Sequence, residues 1–218
     1  MTDGRLSDMP YPYSLRETLA DASVHLIGLT AGIAAGVVLI VYVAQTHAAP
    51  QIAATSIYAG MLFFSLIASA LYHLLPWDRA RPVFLRIDHA AIYLKIAGTY
   101  TPIAVLIGSA FAYVVLAGVW IVALVGAVAK LTYWAADAPG SLPVYLGMGW
   151  ASVLLIWPMW QTLPPLAVGL VVGGGLLYTA GTVVYRYPDM RYQNAVWHVF
   201  VLAASTCFFA AVSVALSA

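Results

Sequence analysis

Long runs of apolar residues alternate with short polar segments along the whole chain. Each run is close to the roughly 20 residues that a helix needs to cross a lipid bilayer. The sequence contains seven such runs, at about 25–45, 53–75, 88–107, 111–131, 142–161, 165–185 and 194–216. The pattern predicts an all-α fold with seven transmembrane helices. The tightest junction, between the third and fourth runs, holds only Gly108, Ser109 and Ala110.

The segment that precedes the first run is polar. It includes Asp3, Asp8 and Glu17, and it lacks the apolar core of a signal peptide. We expect residues 1–24 to form a short cytoplasmic segment and residues 25–218 to form one seven-helix transmembrane domain.

The composition supports a membrane protein. Of the 218 residues, 63% are hydrophobic and 8% are charged, whereas soluble domains carry about a quarter charged residues. Such a chain cannot cover itself with a surface that faces water. The net charge of +1 argues against nucleic acid as a partner, and membrane lipid is the partner that we expect. The single cysteine, Cys207, excludes an intramolecular disulfide and a multi-cysteine metal site.

The basic residues predict the direction of the spans. Eight of the nine Lys and Arg residues fall on one side of the seven-span arrangement: Arg5, Arg16, Arg79, Arg81, Arg86, Lys130, Arg186 and Arg191. Only Lys95 lies within a span. The positive-inside rule then places the N-terminus in the cytoplasm and the C-terminus outside. We expect a multi-pass protein of the cell inner (plasma) membrane.

Several polar residues meet at the predicted cytoplasmic level. His73 ends the second span, Asp88 begins the third, and Asn194 and His198 lie in the first two turns of the seventh. Ser69 precedes His73 by four residues and shares its helix face. Ionisable groups within spans are costly and usually face the interior of the bundle. This layer is therefore the predicted functional site.

The residue types in this layer suit a metal ion. Two imidazoles and a carboxylate from three helices, namely His73, His198 and Asp88, could hold a divalent cation. Zinc accepts histidine nitrogen and carboxylate oxygen, and a catalytic site leaves one position for water. A water bound in this way has its pKa lowered to about 7 and becomes a nucleophile at neutral pH.

Simpler structural roles compete with these. Asn194 could be the N-cap of the seventh span, where asparagine is favoured. Ser69 could be a packing residue or bond the backbone of its own helix. His25 and Asp21, four residues apart, favour an interfacial pair over a metal site. For Lys95 we favour a side chain that reaches the headgroups or an interior polar contact over a charge partner for Asp88.

Five segments resemble the hemolysin III family, the bacterial relatives of the adiponectin and progestin receptors. They are ETLADASVHLIG at the first span, SALYHLL at the second, DHAAIYLKIAGTYTP at the third, YLGMGW at the fifth and NAVWHVFVLAAS at the seventh. The resemblance runs from Glu17 to about Phe209. It implies a seven-helix bundle with a zinc site near the cytoplasmic face. The implied ligands include His73 and His198, with Asp88 in contact with a bound water.

The chain departs from the family pattern at three positions: Asp21 stands where asparagine is usual, and two histidines are replaced. Asn194 stands where the family has the first histidine of the pair in the seventh span, and Phe208 replaces a further histidine common in bacterial members. Three outcomes remain open: Asp88 is a direct ligand, Asn194 coordinates the metal, or no metal is held.

The resemblance implies a lipid amide as the substrate class, because the wider superfamily includes ceramide-cleaving hydrolases. In this hypothesis His73 and His198 hold the metal, Asp88 orients the water or binds the metal with it, and Ser69 supports the transition-state oxygen. Asn194 either binds the metal or supports its ligands. The alternative is a protein without turnover, whose polar layer holds the bundle together or senses metal or lipid. A membrane-lytic or pore activity is the third possibility.

Overall fold

The computed structural model describes residues 14–134 and 140–218. Within these ranges the chain forms seven helices that are long and apolar enough to cross a membrane, and it contains no strand. The helices are α1 (Leu15–Thr46), α2 (Ala49–Leu74), α3 (Arg81–Ile107), α4 (Ala110–Thr132), α5 (Ser141–Thr162), α6 (Pro165–Tyr185) and α7 (Gln193–Leu216). The predicted seven-span, all-α fold is confirmed. Residues 1–13 of the predicted N-terminal segment, with Arg5, lie outside the described residues, and the direction of the spans stays a prediction.

Helix α1 begins at Leu15, well before the predicted start near residue 25. Ser14 is its N-cap and forms a capping box with Glu17, which satisfies backbone N–H groups that a helix start leaves unpaired. Glu17 also accepts a hydrogen bond from the backbone N–H of Tyr192, at 3.0 Å. The polar first turn of α1 is therefore helical because the capping box and the contact with the start of α7 stabilise it. The length of the apolar run does not reveal this.

The junction between α3 and α4 is as short as the sequence predicts. Gly108 ends α3 with a left-handed backbone (φ 67°), which glycine adopts without steric cost. Ser109 then caps α4, and its hydroxyl accepts a hydrogen bond from the N–H of Ala112 at 3.2 Å. One residue that ends a helix and one that starts the next are enough to reverse the chain.

Helix α5 is irregular in its middle. It is α-helical over Ser141–Trp150, a 3₁₀-helix over Ala151–Leu155, and α-helical again over Ile156–Thr162. Pro158 lacks an N–H group, and its ring clashes with the carbonyl of the residue four positions earlier. That residue, Leu154, lies in the 3₁₀ segment. The disruption that Pro158 predicts is present.

Helix α3 is the central element of the bundle. It packs between α2 and α4, and it also contacts α5 and α7, while α1 lies against α2 and α7. The outward faces of the surrounding helices carry exposed apolar side chains, such as Val38 (69% exposed), Val114 (68%) and Trp157 (72%). Apolar side chains at this exposure fit contact with lipid, so the chain is a multi-pass membrane protein.

The close approach of α3 and α4 depends on Gly126. A Cβ atom at this position would lie 2.5 Å from the ring of Tyr93, which is fully buried. We expect Gly126→Ala to lower stability by about 1–3 kcal/mol, the usual cost of overpacking. Gly118→Ala on the same helix, where nothing lies within 4 Å, is the matched control and should leave stability equal or higher. Melting temperatures in detergent measure both, and equal values would contradict this packing.

Candidate metal centre

Four helices bring polar residues to one end of the bundle. Asp21 and His25 lie near the start of α1, Ser69 and His73 lie near the end of α2, and Asp88 lies in the early part of α3. The start of α7 adds Asn194 and His198. Helices that follow one another in the chain run in opposite directions, so the starts of α1, α3 and α7 lie at the same level as the end of α2. The shared level predicted from the sequence is present for these residues.

Three imidazole rings form the centre of this layer. The ring centroids of His25 and His198 are 4.3 Å apart, and those of His73 and His198 are 4.6 Å apart. The centroids of His25 and His73 are 5.6 Å apart. Each ring comes from a different helix. His198 is the member that lies close to both others.

Asp21 faces the Nδ1 atoms of all three rings. Its Oδ1 accepts a hydrogen bond from Nδ1 of His198 at 2.6 Å, and its Oδ2 lies 3.6 Å from Nδ1 of His73. Nδ1 of His25 lies 3.6 Å from Oδ1 and donates to the Asp21 backbone carbonyl at 2.9 Å. A carboxylate that holds the Nδ1 proton leaves the Nε2 lone pair of the same ring free to act as a ligand.

The free Nε2 atoms converge on Ser69. Its hydroxyl oxygen lies 3.2 Å from Nε2 of His25 and 3.3 Å from Nε2 of His198. The Asp88 carboxyl lines the same cavity wall as Ser69. A serine has only one hydrogen to donate, so it cannot donate to both Nε2 lone pairs at once. At least one of these buried Nε2 atoms therefore lacks a hydrogen-bond donor from Ser69, as expected where a cation binds.

Together these residues can hold a metal ion. Asp21, His25 and His198 each offer a ligand atom, these atoms lie within 4.8 Å of one another, and all three residues are buried. The predicted site residues Ser69, His73 and His198 contact one another or Asp21 in this cluster, and Asp88 lines the same cavity wall. Sequence reasoning placed Asp21 and His25 in an interfacial pair. The pair is present, but it is part of the metal-capable group.

Asn194 lies at the edge of the cluster. It is partly buried and lines a small recess that Asp21 and His73 also line. The alternative role of N-cap is wrong, because Tyr192 is the N-cap of α7 and adopts a left-handed backbone (φ 59°). Asn194 is the second residue of the helix. His25 from α1 supplies the third imidazole of the cluster, whereas the family pattern led us to expect one at position 194.

A large cavity opens from the cluster into the bundle. Its volume is about 1130 Å³, slightly above the roughly 300–1,000 Å³ of ordinary small-molecule pockets. His25, His73, Asp88 and His198 form part of its wall. The rest is mainly apolar, with the side chains of Ile92, Ile96, Ile103, Leu155 and Met159 among the lining. The imidazoles therefore lie at the wall of a large and mainly apolar cavity.

Comparison with known proteins gives one family. The family model described as "Haemolysin-III related" matches residues 13–209. A protein named "Hemolysin-3" from Bacillus cereus is 30% identical over 196 residues, which is 89% of this chain and 90% of that protein. A "Hemolysin-3 homolog" from Bacillus subtilis (strain 168) is 33% identical over 200 residues, 90% of this chain and 93% of that protein.

Proposed function

We propose that this chain, which belongs to the haemolysin-III-related family, is a zinc-dependent hydrolase of lipid amides in the cytoplasmic membrane. The observation that carries the proposal is the convergence of two buried Nε2 atoms on Ser69, beside Asp88 and at the wall of an apolar cavity. An amide at the polar end of a lipid chain is the substrate that would bring its carbonyl to this point.

The donor set fits zinc. Imidazole and carboxylate are ligands that zinc accepts, and a tetrahedral site with three protein ligands leaves one position for water. We assign two ligands to His25 and His198, whose Nε2 atoms converge on Ser69, and the third to His73, whose ring centroid lies 4.6 Å from that of His198. Asp21 also offers a ligand atom, but its carboxylate faces Nδ1 atoms, so we give it a different role. Asp21 would orient the rings through their Nδ1 atoms. In this assignment Asp88 contacts the bound water. Asn194 lies at the edge of the cluster and does not bind the metal.

Zinc, when bound, would lower the pKa of a water to about 7 and polarise the amide carbonyl. The residues of the chain supply the proton transfers. The Asp88 carboxylate, next to Ser69, is placed to take a proton from the attacking water and to return it to the leaving nitrogen. The Ser69 hydroxyl can then donate a hydrogen bond to the oxygen on which negative charge develops. The apolar cavity excludes other water from the reacting groups.

The test is cleavage of long-chain acyl amides, including ceramides, by zinc-loaded protein in lipid vesicles, with fatty acid release measured by mass spectrometry. We expect Asp88→Asn to lower the rate by about 10²–10⁴-fold, the usual contribution of general acid–base catalysis, with zinc content retained. Ser69→Ala should lower the rate by about 10²–10³-fold. His47→Ala, at the opposite end of α1, is the control and should match wild type. Full zinc occupancy without cleavage of any amide would overturn the proposal.

A second candidate is a metal-holding protein without turnover. The hydrogen bonds that Asp21 and Ser69 make join α1, α2 and α7 through the histidine rings. A metal at their centre would hold these helices together. Zinc that raises the melting temperature of the protein, together with no cleavage in the same screen, would favour this candidate.

A further inference from the structure

Lys95 lies within the bundle and outside the metal-capable cluster. It is on α3, two turns beyond Asp88, which is about 10 Å along the helix. It is 8% exposed and lines the large cavity. A charged residue at this depth is costly and is usually functional. The hydrolase proposed above does not use it.

The ammonium group points to the interior of the protein. Its Nζ lies 5.1 Å from the ring centroid of Tyr178 on α6. The Tyr178 hydroxyl is 3.0 Å from the Ser205 hydroxyl on α7, which itself donates to the Val201 carbonyl at 2.6 Å. Tyr178 is thus held in place by a second helix. Of the two roles favoured from the sequence, the interior contact is the one observed.

Lys95 has no carboxylate of the described residues in direct contact, although its charge interacts with Asp88 at longer range. Among residues 14–134 and 140–218, no carboxylate oxygen lies within 4.0 Å of its Nζ. An ammonium group has three donors, and the face of one aromatic ring covers only one side of it. The other side is the cavity. An anion that enters the cavity can contact this ammonium group directly, which Asp88 does not, and a buried charge is costly without such a partner.

We propose that Lys95 binds the anionic head group of a single-chain lipid held in the cavity. The size and apolar wall of the cavity suit one alkyl chain. Carboxylate and phosphate share the chemistry that an ammonium group recognises. The proposal rests on the cavity and Lys95 alone, so it holds whether or not the metal centre cleaves amides.

The test measures binding of three ligands with the same alkyl chain: tetradecanoate, tetradecyl phosphate and tetradecanol. Calorimetric titration of the full-length protein in nonionic detergent gives each Kd. We expect one or both anions to bind about ten- to a hundredfold more tightly than the alcohol, and the tighter anion identifies the head group. Lys95→Met should remove this difference, and Lys95→Arg should retain it.

Two comparisons separate Lys95 from other cations. Lys130 is also buried but does not line the cavity, so Lys130→Met should keep the preference for anions. Arg81, Arg86 and Arg186 do line the cavity, and a bound metal would attract anions as well. A preference that survives Lys95→Met, or that disappears only when the metal is removed by chelation, would overturn the proposal. So would equal binding of the three ligands to wild type, or a uniform loss of all three in Lys95→Met.

Discussion

Replacement of His198 by alanine should abolish zinc binding by the purified protein. His198 donates to Asp21 at 2.6 Å, its Nε2 lies 3.3 Å from Ser69, and its ring lies nearest to both other histidines. Loss of a residue that only orients a metal ligand costs about 10–100-fold in affinity. Loss of a ligand at the centre of the cluster should exceed this, so we expect gently purified wild type to hold near-stoichiometric zinc and His198→Ala to hold none.

Metal content by mass spectrometry measures the effect, and two variants calibrate it. His47→Ala removes a histidine beyond the far end of α1 and should leave zinc unchanged. Asp21→Asn keeps the shape of an orienting residue and should lower affinity by about 10–100-fold. Size-exclusion profiles establish that each variant is folded. A folded His198→Ala protein with wild-type zinc would place the metal elsewhere, and a zinc-free wild type would contradict the centre altogether.

The membrane fold could be predicted because each span satisfies its backbone hydrogen bonds internally. The length of an apolar run then defines a helix without knowledge of its neighbours. The start of α1 could not be found in this way. Leu15 begins a helix because of the Ser14–Glu17 capping box and the contact with Tyr192, and the second of these depends on tertiary structure.

Only some of the site residues could be predicted from the sequence, for a related reason. The direction of each span gives the depth of a residue in the membrane, which brought Ser69, His73, Asp88 and His198 to one level. Depth does not give the order of helices around the bundle. His25 contacts His198 because α1 packs against α7, and no periodicity in the sequence contains that information. The available signal was the presence of His25 at the same depth.

Lys95 shows the same limit for side-chain direction. The position of Lys95 within the third span indicated its depth but left open whether its side chain reaches the headgroups or the interior. Only the placement of Tyr178 beside it on α6 decides for the interior. Residues on different helices, far apart in the chain, must be brought together before such a contact can be seen.

The second prediction with a large expected effect concerns zinc affinity and His25, which supplies the third imidazole of the cluster. We expect His25→Ala to lower zinc affinity by more than about a hundredfold, for the reason given for His198. Asn194→His should restore most of that loss in the His25→Ala background. Residue 194 lies one turn before His198 on α7, and its side chain lines the recess shared with Asp21 and His73. Titration of each metal-free variant with zinc gives the affinities.

The rescue distinguishes a ligand from a structural histidine. If His25 only stabilises the packing of α1 on α7, an imidazole at position 194 cannot replace it, and zinc affinity stays low in the double variant. Asn194→Gln in the same background is the matched control, since it changes the side chain without adding an imidazole, and it should not rescue. Residues that share one site are non-additive, so Asn194→His should raise affinity far less in the presence of His25 than in its absence. Wild-type zinc affinity in His25→Ala alone would show that two histidines are enough.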